Sequence, residues 1–222
     1  MIQGGDDATL QRSDITTSPR GDITTPPRGD IPPTPPRGDA APRRQVPSLA
    51  VERASEIGDD DLHALCEATN AAILEGGGFG WVNPPGMQAL ERYFRGVLLV
   101  PERELFVARA DGVIVGSAQL VRPSRNNEAQ AFAATLMHAY VAPYARGFGL
   151  GRMMVQRVEE GARALGYQVL NLDVRETQEA AIRMLESLGY ECWGTHPAYA
   201  RVGGRTLRGL YFFKRLQKEA KA

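Results

Sequence analysis

Cysteine is scarce in this chain of 222 residues, which carries only Cys66 and Cys192. Two distant thiols build neither a disulfide framework nor a zinc site, and three scattered histidines do not complete one. An excess of one charge is missing as well, since 26 Lys and Arg balance 26 Asp and Glu. That balance argues against a phosphate-neutralising nucleic-acid surface and against a polybasic membrane patch. No apolar run reaches the roughly 20 residues that span a bilayer, and the N-terminus lacks a basic-then-apolar secretory signal. With 43% hydrophobic residues, the chain reads as a soluble, cytoplasmic globular protein with no metal.

Aromatic residues are absent until Phe79, while nine of the fifteen prolines fall within residues 1–47. The segment repeats Pro-Arg-Gly-Asp at Arg20, Arg28 and Arg37. It cannot bury enough apolar surface to offset its ordering entropy, so residues 1–47 are expected to form a disordered or locally polyproline-like tail. The Arg-Gly-Asp triplets suggest cell-adhesion binding, but without a secretory signal a duplicated low-complexity linker is the better reading.

From residue 48 to 222 the pattern becomes an alternation of strands and helices. Ser48 to Arg53 predicts a strand, and Asp59-Asp60-Asp61 supplies an N-cap and favourable charge for a helix. That helix repeats Leu62, Leu65, Cys66, Thr69 and Ile73 on one face, which makes Cys66 a core residue rather than a nucleophile. Pro84-Pro85 opens a second helix that buries Met87, Leu90, Phe94 and Val97. Asp111-Gly112 joins strands 104–110 and 113–121 in a hairpin. A strand near 131–141, a helix to about Leu165, a strand at 168–174, a helix at 177–188 and two closing strands follow. The expected architecture is α/β, layered as in α+β folds, with helices flanking a mixed sheet.

The stretch from Val141 to Arg152 carries the chemistry. Gly147, Gly149 and Gly151 let a ligand approach the backbone, at the start of a helix with Leu150, Met154 and Val158 on one face. Arg146 and Arg152 add positive charge where phosphates would lie. A plain Gly-rich turn with surface arginines is the alternative. A dinucleotide site fits less well, because its third glycine falls at Arg152, and the Walker pattern fails for want of Gly-Lys-Ser/Thr.

Arg146-Gly147-Phe148-Gly149-Leu150-Gly151, preceded by Tyr140-Val141-x-Pro143, resembles the pyrophosphate loop of the GNAT N-acetyltransferase superfamily. The order of elements, the segment Ala181–Tyr190 and the closing strand containing Tyr211-Phe212-Phe213-Lys214 are similar to that family too. The resemblance implies a mostly antiparallel central sheet with helices on both faces, and acetyl-CoA as co-substrate. Main-chain groups of Ala139, Tyr140 and Val141 would then pair with pantetheine. Those of Gly147, Phe148, Gly149, Leu150, Gly151 and Arg152 would bind pyrophosphate beside Arg146. Direct attack of a neutral amine on the thioester is the implied reaction.

Three positions depart from the family pattern. The helix asparagine that contacts the cofactor corresponds to Gln178, the thiolate-protonating tyrosine to Leu185, and the strand glutamate base to Thr135. Leu185 and Thr135 cannot transfer a proton near neutral pH. His138, as a base, and Tyr199 or Tyr190, as a donor to sulfur, are the substitute candidates; the alternatives are a strand histidine satisfied by a neighbour or solvent and packed aromatics with solvated hydroxyls. The resemblance implies an acceptor pocket lined by the last strands and by the loop Gly76–Pro85, where Phe79 and Trp81 either stack on the acceptor or plug the core; Glu75 beside it either attracts an amine or ends a helix in solvent. A small amine or amino-acid-like compound is the expected acceptor. A non-catalytic acyl-CoA sensor and a nicotinamide oxidoreductase are the competing readings. The closing strands offer a homodimer surface, an option the sequence leaves open.

Overall fold

A computed structural model describes residues 46–77 and 79–216. The reading of residues 1–47 as a tail falls, but for Val46 and Pro47, outside the described residues. The elements run β1 (Leu49–Ala54), α1 (Asp59–Leu74), α2 (Met87–Leu99), β2 (Arg103–Ala110), β3 (Val113–Val121), β4 (Ala133–Val141), α3 (Leu150–Ala164), β5 (Val169–Arg175), α4 (Glu179–Ser187), β6 (Glu191–Val202) and β7 (Arg205–Arg215). Short 3-10 turns at Glu128–Gln130 and Pro143–Ala145 bracket β4.

One seven-stranded sheet has the order β1-β2-β3-β4-β5-β7-β6. Every neighbouring pair is antiparallel except β4 and β5. The β2–β3 turn takes positive φ at both Asp111 (49°) and Gly112 (82°), the mirror-image geometry that suits the twist of a hairpin. The Ser48 N–H donates to Asp111 Oδ1 at 2.8 Å, which ties the start of β1 to that turn.

Alternation along the strands separates two apolar layers. Phe106 and Ala108 of β2 join Leu120, Leu136, Leu170 and Phe212 beneath α3 and α4. Leu105 and Val107 point the other way, into the layer of Leu65, Cys66, Leu90 and Phe94 from α1 and α2. Cys66 is fully buried, and that burial pushes its thiol up to about 11, so it is core as expected. The buried Glu159 of α3 accepts from Lys214 of β7 at 2.8 Å and from Arg163 at 2.9 Å, which pins the helix to the sheet.

Element ends depart from the sequence reading for local reasons. The N-cap of α1 is Gly58, not Asp59, and the three aspartates lie inside the first turn. There Asp59 meets Arg95 and Asp61 meets Arg109. The second helix begins at Met87 because Gly86, at φ 91°, interposes a non-helical residue after the two prolines. In β6 the register shifts between His196 and Ala200, around Pro197, on an edge strand that tolerates a missing N–H.

Candidate active site

The site begins where the sheet parts. Strands β4 and β5 pair at three positions, Ala133 with Val169, Ala134 with Leu170 and Thr135 with Asn171. Beyond Thr135, β4 continues along β3 while β5 follows β7. The β5-facing edge of β4 from Leu136 to Val141 is thereby left without a strand partner, and its backbone groups can pair with an extended ligand. In the same stretch β4 carries an extra residue. Ser117 pairs with Tyr140, yet Gln119 pairs with Met137. His138 absorbs this bulge at φ 51°, in the left-handed region that a non-glycine residue seldom occupies.

Past Val141 the chain makes one 3-10 turn and enters α3 through Gly147 at φ 90° and Gly149 at φ 88°. No side chain caps α3, and the Met153 N–H donates to the Gly149 carbonyl. The N–H groups of the preceding turn therefore point out of the helix end, where its dipole is positive. A Cβ built on Gly147 or Gly149 meets nothing within 4 Å, so the space over this loop is open to a ligand. These features fit a pyrophosphate held by main-chain groups. The Leu150 side chain is core, so only its backbone faces the loop's outer side. Phe148 is exposed, and Arg152 donates to Ser187 of α4.

Three side chains close the opening against the α1–α2 loop. Arg146 pairs with Glu75 and donates through Nε to the Val141 carbonyl at 3.0 Å. Arg175, at the end of β5, donates to the Gly76 carbonyl at 3.1 Å and to that of Phe79. Gln178 donates to the Gly76 carbonyl at 3.2 Å. Both lips of the parted sheet are thus tied to one loop. Phe79 is the plug of the two options, only 3% exposed, stacked on His138 at 5.0 Å and 9°. Trp81 packs on Phe79 and edge-on to Tyr93. Glu75 is the partner of Arg146 rather than a bare helix end.

On the α1–α2 face of the parting lies a cleft of about 190 Å³, lined among others by Thr135, Asn171, Asp173, Trp193 and Tyr211. Trp193 and Tyr211 pack at 5.6 Å, and Tyr199 meets Tyr211 edge-on at 6.1 Å. The Tyr199 hydroxyl donates to Asp173 Oδ2. Burial and the Asp173 carboxylate both raise the Tyr199 pKa, so its proton stays on the phenol. The Tyr199 ring lies directly over Gly209, where a Cβ would come within 2.3 Å of Cγ.

His138 sits half-buried with Nδ1 2.9 Å from the Tyr93 hydroxyl. Burial lowers its pKa, the Arg103 charge lowers it further, and Asp173 opposes both, so the imidazole is neutral at pH 7. Tyr190, the other hydroxyl considered, lies buried with its ring under Lys214, on the α3 side, with its pKa raised by burial. Leu185 is buried in that same layer, whereas Thr135 does line the cleft. Asp173, Trp193, Tyr93 and Gln119 carried no local signal: their spacings belong to ordinary strands and a helix, and only the register places them together. Among the described residues no His, Cys, Asp and Glu cluster could hold a metal, and no helix is long and apolar enough to cross a membrane.

The chain is similar to known proteins in sequence and in fold. An N-acetyltransferase, itself uncharacterized, from the hisH–hisA intergenic region of Azospirillum brasilense is 62% identical over 130 residues, covering 59% of this chain and 77% of that protein. A Salmonella typhimurium structure, described as an acetyltransferase with its cofactor acetyl-CoA, superposes with a TM-score of 0.64 at 23% identity, over 78% of this chain and 96% of that one. A phosphinothricin acetyltransferase from Sinorhizobium meliloti, in complex with acetyl-CoA, gives 0.64 at 21% identity, over 80% and 92%. The model of the acetyltransferase (GNAT) family matches residues 71–190, a span that contains the parted strands and the glycine loop, and the chain belongs to that family of N-acetyltransferases.

Proposed function

We propose that the chain transfers the acetyl group of acetyl-CoA to a small primary amine held at Asp173. The observation that carries this reading is the parting of β4 from β5, with an uncapped helix end at one side and a carboxylate in an aromatic cleft at the other. Main-chain groups of Ala139–Val141 and Gly147–Arg152 hold the cofactor, with Arg146 fixing the loop beneath it. Acetyl-CoA, when bound, would supply an activated thioester. The acceptor's ammonium loses one proton to solvent, its neutral nitrogen forms the amide bond as the C–S bond breaks, and a second N–H proton leaves on the CoA thiol. The chain's own residues bind and orient. Asp173 draws in the ammonium form of the acceptor, and the faces of Trp193 and Tyr211 receive its apolar body. Tyr199 holds the Asp173 carboxylate in place, and Gly209 leaves room for the tyrosine ring.

The test is thiol release from acetyl-CoA across a panel of monoamines and amino acids. Turnover of at least one small amine, lost when Asp173 is replaced by Asn, is the expected result. Turnover confined to acceptors without a basic amine, or turnover indifferent to Asp173→Asn, would refute the assignment.

A further inference from the structure

Four side chains from four elements form one hydrogen-bonded row on the α1–α2 side of the sheet. Arg103, at the start of β2, donates through Nη1 to Gln119 Oε1 at 2.6 Å. Gln119 of β3, which is fully buried, donates through Nε2 to the Tyr93 hydroxyl of α2 at 2.8 Å. That hydroxyl lies 2.9 Å from Nδ1 of His138, on the bulge of β4.

The direction of every bond in the row is forced. A guanidinium has only donors, so the end of the Gln119 amide that meets Arg103 is its oxygen, whichever way the amide is drawn. The NH₂ end then faces Tyr93, whose oxygen must accept from it. Leaving the buried amide's oxygen and NH₂ without partners would incur the desolvation cost of both, which holds the amide in this sense. Tyr93 is left with one proton to give, and Nδ1 of His138 is the acceptor in its hydrogen-bond reach among the described residues.

We infer that Arg103, Gln119 and Tyr93 are positioning residues that hold neutral His138 with its proton on Nε2. Nδ1 is then occupied by the Tyr93 proton and Nε2 carries an N–H in place of a lone pair, so neutral His138 has no free nitrogen with which to take the proton of an amine. This role differs from the acid–base part that its position in the sequence suggests. The tautomer follows from the four side chains alone, and its meaning for acetyl transfer rests on the reading given under Proposed function.

The experiment is ¹⁵N–¹H correlation of the histidine rings in the full chain, which holds only three histidines. It reads the tautomer without substrate or turnover, so its failure is distinct from failure of the acetyltransferase assignment. The expected spectrum shows Nε2 of His138 protonated and Nδ1 unprotonated. In Gln119→Glu the row reverses: the carboxylate accepts from both Arg103 and Tyr93, and the tyrosine oxygen accepts from His138 Nδ1–H. The two nitrogen signals of His138 are then expected to exchange character. Should that variant not fold, Tyr93→Phe is expected to give intermediate shifts for both nitrogens, as the ring loses its fixed donor. A wild-type ring protonated on Nδ1, or a folded Gln119→Glu protein with the wild-type pattern, overturns the inference.

Discussion

Beneath α3 and α4 the sheet presents Phe106, Ala118, Leu120, Leu136, Leu170 and Phe212, all apolar. Beneath α1 and α2 the same strands present Ser117, Gln119, His138 and Asp173 among aromatic rings. Apart from the Glu159–Lys214 pair the first face is an apolar shelf, and under the proposed function its contribution to the site is made by backbone: the free edge of β4 and the uncapped end of α3. The second face works through side chains joined over long sequence separations, such as Tyr93 to His138 and Tyr199 to Asp173. A ligand common to a whole family can be met by backbone that any sequence with the right glycines supplies. The partner that differs between members must be met by side chains, which vary freely once the shelf is in place.

This division can be broken by substitution. The largest expected effect is on stability: Phe79→Ala removes a buried ring from the second face and is expected to cost about 3–5 kcal/mol in chemical denaturation. A loss under about 1 kcal/mol would mean that the residue is an adaptable binding surface rather than a plug. Next, Asp173→Asn is expected to lower kcat/KM for the amine by roughly tenfold to a hundredfold, the worth of one charge-assisted hydrogen bond, while KM for acetyl-CoA stays unchanged. Gly149→Val places a β-branched residue at φ 88° and is expected to weaken acetyl-CoA binding by roughly tenfold, at about 1–2 kcal/mol of strain.

The smallest effect is a pH dependence. The folded pKa of His138 lies below the ordinary histidine value of 6.5, chiefly through burial. As pH falls through that value the unfolded chain takes up a proton that the folded chain refuses, so stability declines until the folded pKa is reached. His138→Phe is expected to lose less stability than the wild type between neutral pH and that lower limit, measured as urea midpoints. Equal losses in the two proteins would mean that the imidazole is not desolvated.

Most of the fold was legible because its signals are local. The Asp111-Gly112 turn, the apolar spacing of α1 and α3, and the glycines at 147, 149 and 151 each announce their element within a few residues. The boundaries missed were set by single residues, Gly58 and Gly86, whose backbone angles a sequence pattern does not reveal. The glycine loop was legible for the same reason as the helices. The cleft was not. Asp173 reads as one polar residue in a strand, and only its register opposite Tyr211, with Tyr199 folded over Gly209, makes it part of a site. The fate of His138 depended on a bulge and on Gln119, a residue that periodicity would place in the core without saying what it bonds.

The central claim is that one face binds acetyl-CoA through backbone while the other binds the acceptor through side chains. Calorimetric titration of acetyl-CoA into the wild type, Gly149→Val and Asp173→Asn tests it most directly. The account predicts saturable binding to the wild type, equal binding to Asp173→Asn, and roughly tenfold weaker binding to Gly149→Val. No binding to the wild type, or an Asp173→Asn protein impaired as much as Gly149→Val, would contradict it.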